Sequence, residues 1–396
     1  MTTAIIITVC SLLLLAYVFD LTSAKTKVPS VILLLMLGFG VREIALLVGI
    51  NVPSLTPLLP IFGTVGLILI VLEGSLELEF NKSKASLIKK SFVASLFPMV
   101  VMAFLLSFLF QHFGQFSFKD SLTNAIPLCI ISSAIAIPSV KSLTQFNKEF
   151  IIYESSLSDI LGVLFFNFVA LNDSFGFSSF GYFGLQLLLI TLVSFIATIG
   201  LAFLLKNIDH HIKFGPIILL IILIYAVSKV YHLPGLVFIL LFGLFLGNLD
   251  ELKRFKWIQK LKPDELNKEV HKFKELTIEA AFLVRALFFL LFGFLIQTDE
   301  ILNTDTLIWA VGIVAAIFLF RAIQLSISKL PLSPLLFIAP RGLITILLFL
   351  SIAPTQSIPL VNNSLIIQVI ILTALVMMLG LMTNNTTKQN PHFHNA

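Results

Sequence analysis

The chain has 396 residues, of which 58% are hydrophobic and only 12% charged, and its mean hydropathy is +1.04. A water-soluble domain cannot hide that much apolar surface. The net charge of +5 is spread between apolar runs and so reports membrane topology, not a nucleic-acid-binding patch. Cys10 and Cys129 both lie inside apolar runs, which excludes a disulfide scaffold and a thiolate metal site.

The apolar runs are continuous and rich in Leu, Ile and Phe. Their length of about 20 residues is what one helix needs to cross a ~30 Å hydrocarbon core, and they lack the alternation of a membrane barrel. In chain order the predicted spans are 2–19, 28–48, 57–77, 88–111, 123–144, 151–171, 182–206, 214–231, 234–249, 277–297, 305–329, 334–353 and 364–383. The first lacks the positive start of a signal peptide, although Leu21-Thr22-Ser23-Ala24 resembles a cleavage site and keeps a removed leader as a minor alternative. Spans eight and nine are short and separated only by His232-Leu233. Residues 250–276 form the one long hydrophilic segment, and its Leu, Phe and Trp spacing predicts an amphipathic cytoplasmic helix. Residues 384–396 read as a disordered tail. The seven His fall in loops, at helix ends or in the tail and read as solvated, with His210-His211 as a minor pH-sensing alternative.

Charges between the spans set the orientation. Loops after odd-numbered spans hold 19 Lys and Arg, loops after even-numbered spans hold 3, and the tail holds Lys388. The positive-inside rule then places the odd loops and the C-terminus in the cytoplasm and the N-terminus outside. A wrong span count would scramble this alternation.

The remaining basic residues, Arg285, Arg321 and Arg341, fall within spans, as do Glu73, Glu154 and Asp159. A charge at the centre of a lipid-facing helix costs at least ~2.5–3.5 kcal/mol on insertion scales, so such groups persist where they pair, face a cavity or carry an ion. At 1.5 Å per residue, Asp159, Arg285 and Arg321 lie ~12 Å deep, Arg341 ~10 Å and Glu73 ~6 Å, all in one layer towards the cytoplasmic side. Span five carries Pro127 and Pro138 around Ile131-Ser132-Ser133-Ala134, and span twelve carries Ala339-Pro340-Arg341-Gly342. Proline removes a backbone donor and breaks the helix. With repeats of about 1–171 and 214–383 and a linker helix at 182–206, the two interruptions occupy equivalent positions, and an odd separation of seven spans inverts one repeat. Span six opens Glu154-Ser155-Ser156-Leu157-Ser158-Asp159. A carboxylate with hydroxyls at i−4 and i−1 suits a hard monovalent cation. The same carboxylate takes a proton instead, and competition for one group is the simplest basis for exchange. The alternative is a serine-lined helix contact.

With these pieces in order, the chain resembles the sodium/proton exchanger (monovalent cation:proton antiporter) superfamily. The resemblance rests on Pro29-Ser30-Val31 leading to Gly38 and Gly40, Glu73-Gly74, Ser132-Ser133-Ala134, Glu154-Ser155 through Ser158-Asp159, Phe288-Phe289 with Gly293, Arg321, and Pro340-Arg341-Gly342. It implies an all-α polytopic fold of about 13 transmembrane helices with two crossed, partly unwound helices, a transport core and a separate dimerisation domain. It implies that Asp159 binds cation or proton by alternating access, with Ser155, Ser158, Ser132, Ser133 and Glu73 around it. Glu154 and Arg321 would form a supporting pair, Arg341 would steady the broken helix, and Arg285 would be a further supporting charge. The expected partners are Na+ or K+, protons, the lipid of a cell (inner) membrane and a second copy in a homodimer, with no cofactor and no nucleic acid. Ser158 stands where relatives carry Asp or Asn, and the span-five Asp of many relatives is missing, which leaves one exchangeable carboxyl and predicts electroneutral exchange. The runner-up functions are a cation channel or another ion-coupled transporter. An intramembrane aspartyl protease needs two catalytic Asp and a polyprenyl transferase needs Asp-rich loops; neither is present.

Overall fold

The computed structural model describes residues 2–383, apart from 27, 51, 53, 80, 81, 142, 173–176, 209–211, 254, 260 and 261. His210-His211 and the 384–396 tail therefore lie outside the described residues. The described residues are helical with connecting turns, in the order α1 (Thr2–Thr26), α2 (Ser30–Val48), α3 (Leu58–Glu77), α4 (Ala85–Gly114), α5 (Phe118–Cys129), α6 (Ser133–Ser139), α7 (Gln145–Leu171), α8 (Phe177–Asn207) and α9 (Phe214–Val230). There follow α10 (Gly235–Gly247), the single turns α11 (Leu249–Leu252) and α12 (Lys256–Gln259), α13 (Pro263–Leu295), the turn α14 (Thr298–Ile301), α15 (Thr304–Ile327), α16 (Leu343–Leu350) and α17 (Asn363–Thr383).

Among the described residues nine helical stretches are long and apolar enough to cross a membrane, with α5 and α6 counted as one interrupted stretch. The other predicted spans also have helical counterparts: α7, the short apolar α9 and α10, and the interrupted segment ending in α16. Two expectations change. The amphipathic segment 250–276 does not end before span ten. After two loose turns it enters α13, which runs unbroken for 33 residues from Pro263 at its first turn, because no Gly or Pro interrupts Asp264–Phe292. Span twelve is less helical than predicted. Its first half is a single 3-10 turn at Leu335–Phe337, followed by non-helical backbone up to Gly342.

Ion pairs test the parity of the spans. Asp20 pairs with Lys141 at 3.0 Å, Lys84 with Glu149 at 3.1 Å, and Glu77 with Lys274 at 3.7 Å, while Lys213 pairs with Glu269. Each joins segments that the sequence places at the same, positively charged face. At the opposite face, Gln368 at the start of α17 donates to the carbonyl of Asn303 at 2.8 Å, and Asn124 donates to that of Gln356 at 2.7 Å.

The helices sort into two groups. α2, α3, α8, α10 and α13 pack mainly on one another, with α1 and α9 at their margin; α4, α5, α6, α7, α15, α16 and α17 form the second group, with α16 at its boundary with α3. Small residues bring the first group together. A Cβ on Gly293 of α13 would sit 2.3 Å from the carbonyl oxygen of Leu35, and one on Gly38 of α2 would sit 2.2 Å from that of Leu290. On α10, a Cβ on Gly247 would likewise lie 2.8 Å from the carbonyl oxygen of Leu76 of α3, and one on Gly243 would lie 1.9 Å from the Ser75 hydroxyl. With lipid as solvent, close backbone approach of this kind is a main source of helix association. α3 then meets the second group through glycine as well: Gly63 and Gly66 lie under Leu347 and Leu343 of α16, and Gly74 under Ser156 of α7.

Bulk at these crossings should loosen the first group. Gly293→Leu or Gly247→Leu should lower the detergent-solubilised melting temperature by several degrees, the result of overpacking by about 1–3 kcal/mol. Gly40→Leu, where a Cβ would meet nothing within 4 Å, should melt like the parent. Equal melting of all three variants in a fluorescence-detected thermal scan would contradict the packing role.

Candidate ion-binding site

The site forms where two interruptions cross. α5 stops at Cys129, the backbone of Ile130 and Ser132 is extended, and α6 starts at Ser133. Opposite it, α16 starts after Gly342. The Ser132 N–H donates to the carbonyl of Pro340 at 2.9 Å, joining the two interruptions directly. A Cβ on Gly342 would lie 2.6 Å from Ile135 Cδ1 and 3.0 Å from Ser132 Oγ, so a side chain there would crowd the crossing.

A helix that stops inside the membrane leaves carbonyls without partners. Arg341 answers this for α5: its Nε donates to the carbonyl of Leu128 at 2.8 Å and its Nη2 to that of Cys129 at 3.2 Å. Its Nη1 reaches the carbonyl of Ala339 at 2.9 Å, and its own N–H donates to Thr373 Oγ1 at 3.1 Å. A cation at a helix C-terminus is also favoured by the helix dipole. The guanidinium is thus occupied by the backbone of both interruptions.

Asp159 of α7 points into the crossing and is only 2% exposed. Its Oδ2 accepts a short hydrogen bond from the Ser133 hydroxyl and one at 3.3 Å from the Ser133 N–H. Ser158 Oγ accepts from the Ile131 N–H at 3.0 Å, so the residue beside Asp159 holds the extended segment in place. Two buried oxygens here have no hydrogen-bond partner among the described residues: Asp159 Oδ1 and Ser132 Oγ. Buried polar atoms are seldom left so.

The other intramembrane carboxylates are paired with arginine. Arg321 binds Glu154 bidentately, with both N···O distances 2.9 Å, and its Nε donates to the carbonyl of Leu335 at 2.7 Å. Glu154 is fully buried. This fork geometry is the strong form of the interaction, and it fixes α7 to α15 and to the turn before the second interruption. Arg285 of α13 lies 3.9 Å from Glu73 of α3, within the first helix group. Among the described residues Asp159 is left as the buried carboxyl without a basic partner.

The structure therefore divides the predicted residues. It gathers Asp159, Ser132, Ser133 and Ser158 at the crossing. It turns the Ser155 hydroxyl back onto the carbonyl of Ile151 at 2.7 Å, and it pairs Glu73 with Arg285 rather than with any group at the crossing. Among the described residues no group of three or more His, Cys, Asp or Glu is placed to hold a metal. Sequence reasoning missed Thr373 and Ser156. Thr373 sits in an apolar helix with no motif around it, whereas Ser156 belongs to the serine run of span six and faces Gly74.

The sequence matches the family described as sodium/hydrogen exchanger, transmembrane, over residues 10–389. No curated protein sequence matches it to a significant degree. The fold is similar to that of MjNhaP1, a sodium proton antiporter from Methanocaldococcus jannaschii. The pH 8 structure superposes with a TM-score of 0.65 at 19% identity over 96% of each chain. The electron-microscopy structure gives 0.67 at 18% identity, covering 98% of this chain and 100% of the other. At that identity the likeness speaks for the fold; the family match spans nearly the whole sequence, and the protein belongs to the sodium/hydrogen exchanger family, a multi-pass membrane transporter and not an enzyme.

Proposed function

We propose that the protein exchanges a monovalent cation, Na+ or K+, for protons by alternating access at Asp159. The observation that carries this reading is the pairing of the intramembrane charges: among the described residues Glu73 and Glu154 are matched to arginine, and the exception, Asp159, lies between two interrupted helices. An isolated carboxylate inside a membrane protein is costly. Binding either a proton or a small cation neutralises it. The cation's ligands would be Asp159 Oδ1 and Ser132 Oγ, the two orphaned oxygens, with Ser133 and Ser158 holding them in place. Ser155 and Glu73 are proposed as ligands only in a rearranged state, because their polar atoms are engaged elsewhere. Glu154, Arg321, Arg341 and Arg285 are supporting charges. No cofactor enters this cycle.

The glycines of α3 at the seam offer a smooth surface against which the group bearing Asp159 can shift. The same reading treats residues 1–171 and 214–383 as inverted repeats. It places the N-terminus outside and the C-terminus in the cytoplasm of a cell (inner) membrane, on the strength of the 19-to-3 charge asymmetry. The first helix group, with its apolar outer faces on α1 and α8, would supply a homodimer interface.

Asp159→Asn should reduce cation-dependent dissipation of a proton gradient in proteoliposomes to the level of empty vesicles, while the protein stays monodisperse. Retained sodium- or potassium-driven proton flux would rule the site out. Because cation binding needs the deprotonated carboxylate, acidification should weaken apparent cation affinity, by about tenfold per pH unit below the site's pKa. A cation KM independent of pH would contradict competition. With one exchangeable carboxyl the site carries the same net charge holding Na+ or H+. Proteoliposomes on a solid-supported membrane should therefore give no sustained cation-driven current; a steady current carrying net charge in each cycle would overturn the electroneutral assignment.

A further inference from the structure

The chain passes from the first helix group to the second twice, between α3 and α4 and between α13 and α15. The first passage lies at the positively charged face and the second at the opposite face. Both begin alike. α3 ends at Glu77 and α13 at Leu295, and each is followed by one extended residue, Leu78 (φ −76°, ψ 117°) and Ile296 (φ −66°, ψ 134°). Both of these residues are buried.

Just beyond each extended residue, a buried side chain of the second group grips the backbone. At the first passage it is Tyr153 of α7. Its hydroxyl accepts from the Glu79 N–H at 3.0 Å and donates to the Glu79 carbonyl at 2.6 Å. The Leu78 carbonyl belongs to the same peptide unit as that N–H, yet it accepts from the Asn248 amide at 2.8 Å. Asn248 is the residue that ends α10, in the first group. A single peptide unit is thus held from both groups. At the second passage the grip comes from Gln368 of α17, whose Nε2 donates to the carbonyls of Ile301 at 3.1 Å and Asn303 at 2.8 Å. α7 and α17 close the two proposed inverted repeats, so the grips correspond under that inversion.

We infer that Tyr153 and Gln368 are positioning residues for the transport step: each pins a crossover to the group that carries Asp159, so that the two groups turn against one another about Leu78 at one face and Ile296 at the other. The inference rests on the alternating-access reading. Buried backbone groups keep their partners, so Tyr153 and Gln368 carry the gripped segments along with α7 and α17. The change in φ and ψ then falls on the extended residue, where a helix has already ended, as hinges at element ends do. Simple structural bracing of two loops is the competing account.

Rate and affinity separate the two. Tyr153→Phe keeps the ring, which packs with Leu78 and Ile152, and removes only the hydroxyl. Gln368→Met keeps the side-chain length and removes the amide. In proteoliposomes each variant should lower the maximal exchange rate at least about threefold, the effect on a barrier of one or two lost hydrogen bonds. The apparent cation KM should stay within about twofold of the parent, because the loaded and the protonated half-cycles use the same turn and slow together. Hydrogen–deuterium exchange should rise over Leu78-Glu79 in Y153F alone and over 296–303 in Q368M alone. Over the crossing, at 130–134 and 339–342, uptake should match the parent. A parental maximal rate in either variant, a loss carried by KM, or uptake raised equally at the crossing would each overturn the proposal. Deuterium uptake is read without transport, so it stands whether or not Asp159→Asn abolishes cation–proton exchange. If Y153F does not fold, Q368M, on a separate helix at the opposite face, tests the same claim.

Discussion

A carboxylate in the middle of a membrane protein must be neutralised, and the rest of this structure depends on how that is done. Six charged side chains sit in one buried layer. Glu154 takes Arg321 in a two-pronged bond, Glu73 has Arg285 nearby, and Arg341 is consumed by the open carbonyls of a broken helix. Among the described residues no arginine pairs with Asp159. Its Oδ2 has only the hydroxyl and N–H of Ser133, and those donors cancel no charge. On the proposed reading, the cargo supplies the missing charge.

The broken helices follow from the same constraint. Backbone without regular hydrogen bonds is tolerated at membrane depth only where protein or a cavity receives it. Here each interruption serves the other: Ser132 donates to Pro340, and Arg341 caps the helix that ends at Cys129. Such a junction fixes the two interruptions as a unit, and Glu154–Arg321 ties that unit to α7 and α15. On the proposed alternating-access reading, motion would run along the seam with α3, where Gly63, Gly66 and Gly74 face α16 and α7. At one end that seam is bridged by an ion pair.

Much of this was legible in the sequence because membranes impose long periodic signals. Hydropathy located all nine described helical stretches that are long and apolar enough to cross a membrane, and the charge alternation anticipated which loops meet, as the Lys141–Asp20 and Lys213–Glu269 pairs show. Pro340 sits in the second interruption, whereas Pro127 and Pro138 lie inside α5 and α6 and only bracket the first. Glu154 with Arg321 was reached through family resemblance, because a partner 167 residues away leaves no mark in spacing. What the sequence left dark depends on rotamers and on crossing geometry. The Ser155 hydroxyl turns back onto its own helix, and nothing in the Glu-Ser-Ser-Leu-Ser-Asp string says so. The continuity of α13 through residue 276 was hidden by polarity, which signals exposure but not a helix end. Gly243 and Gly247 escaped notice because glycine spacing alone does not say which helix it faces.

The central claim is that one carboxyl group holds either metal or hydrogen ion. Proton release on cation binding measures this without any transport. Purified protein in a weakly buffered detergent solution, set at a pH where the carboxyl is still protonated, should release about one proton per chain when saturated with Na+ or K+, and the Asp159→Asn protein should release none. Saturable cation binding with no proton released, or equal release from the Asn variant, would contradict the account.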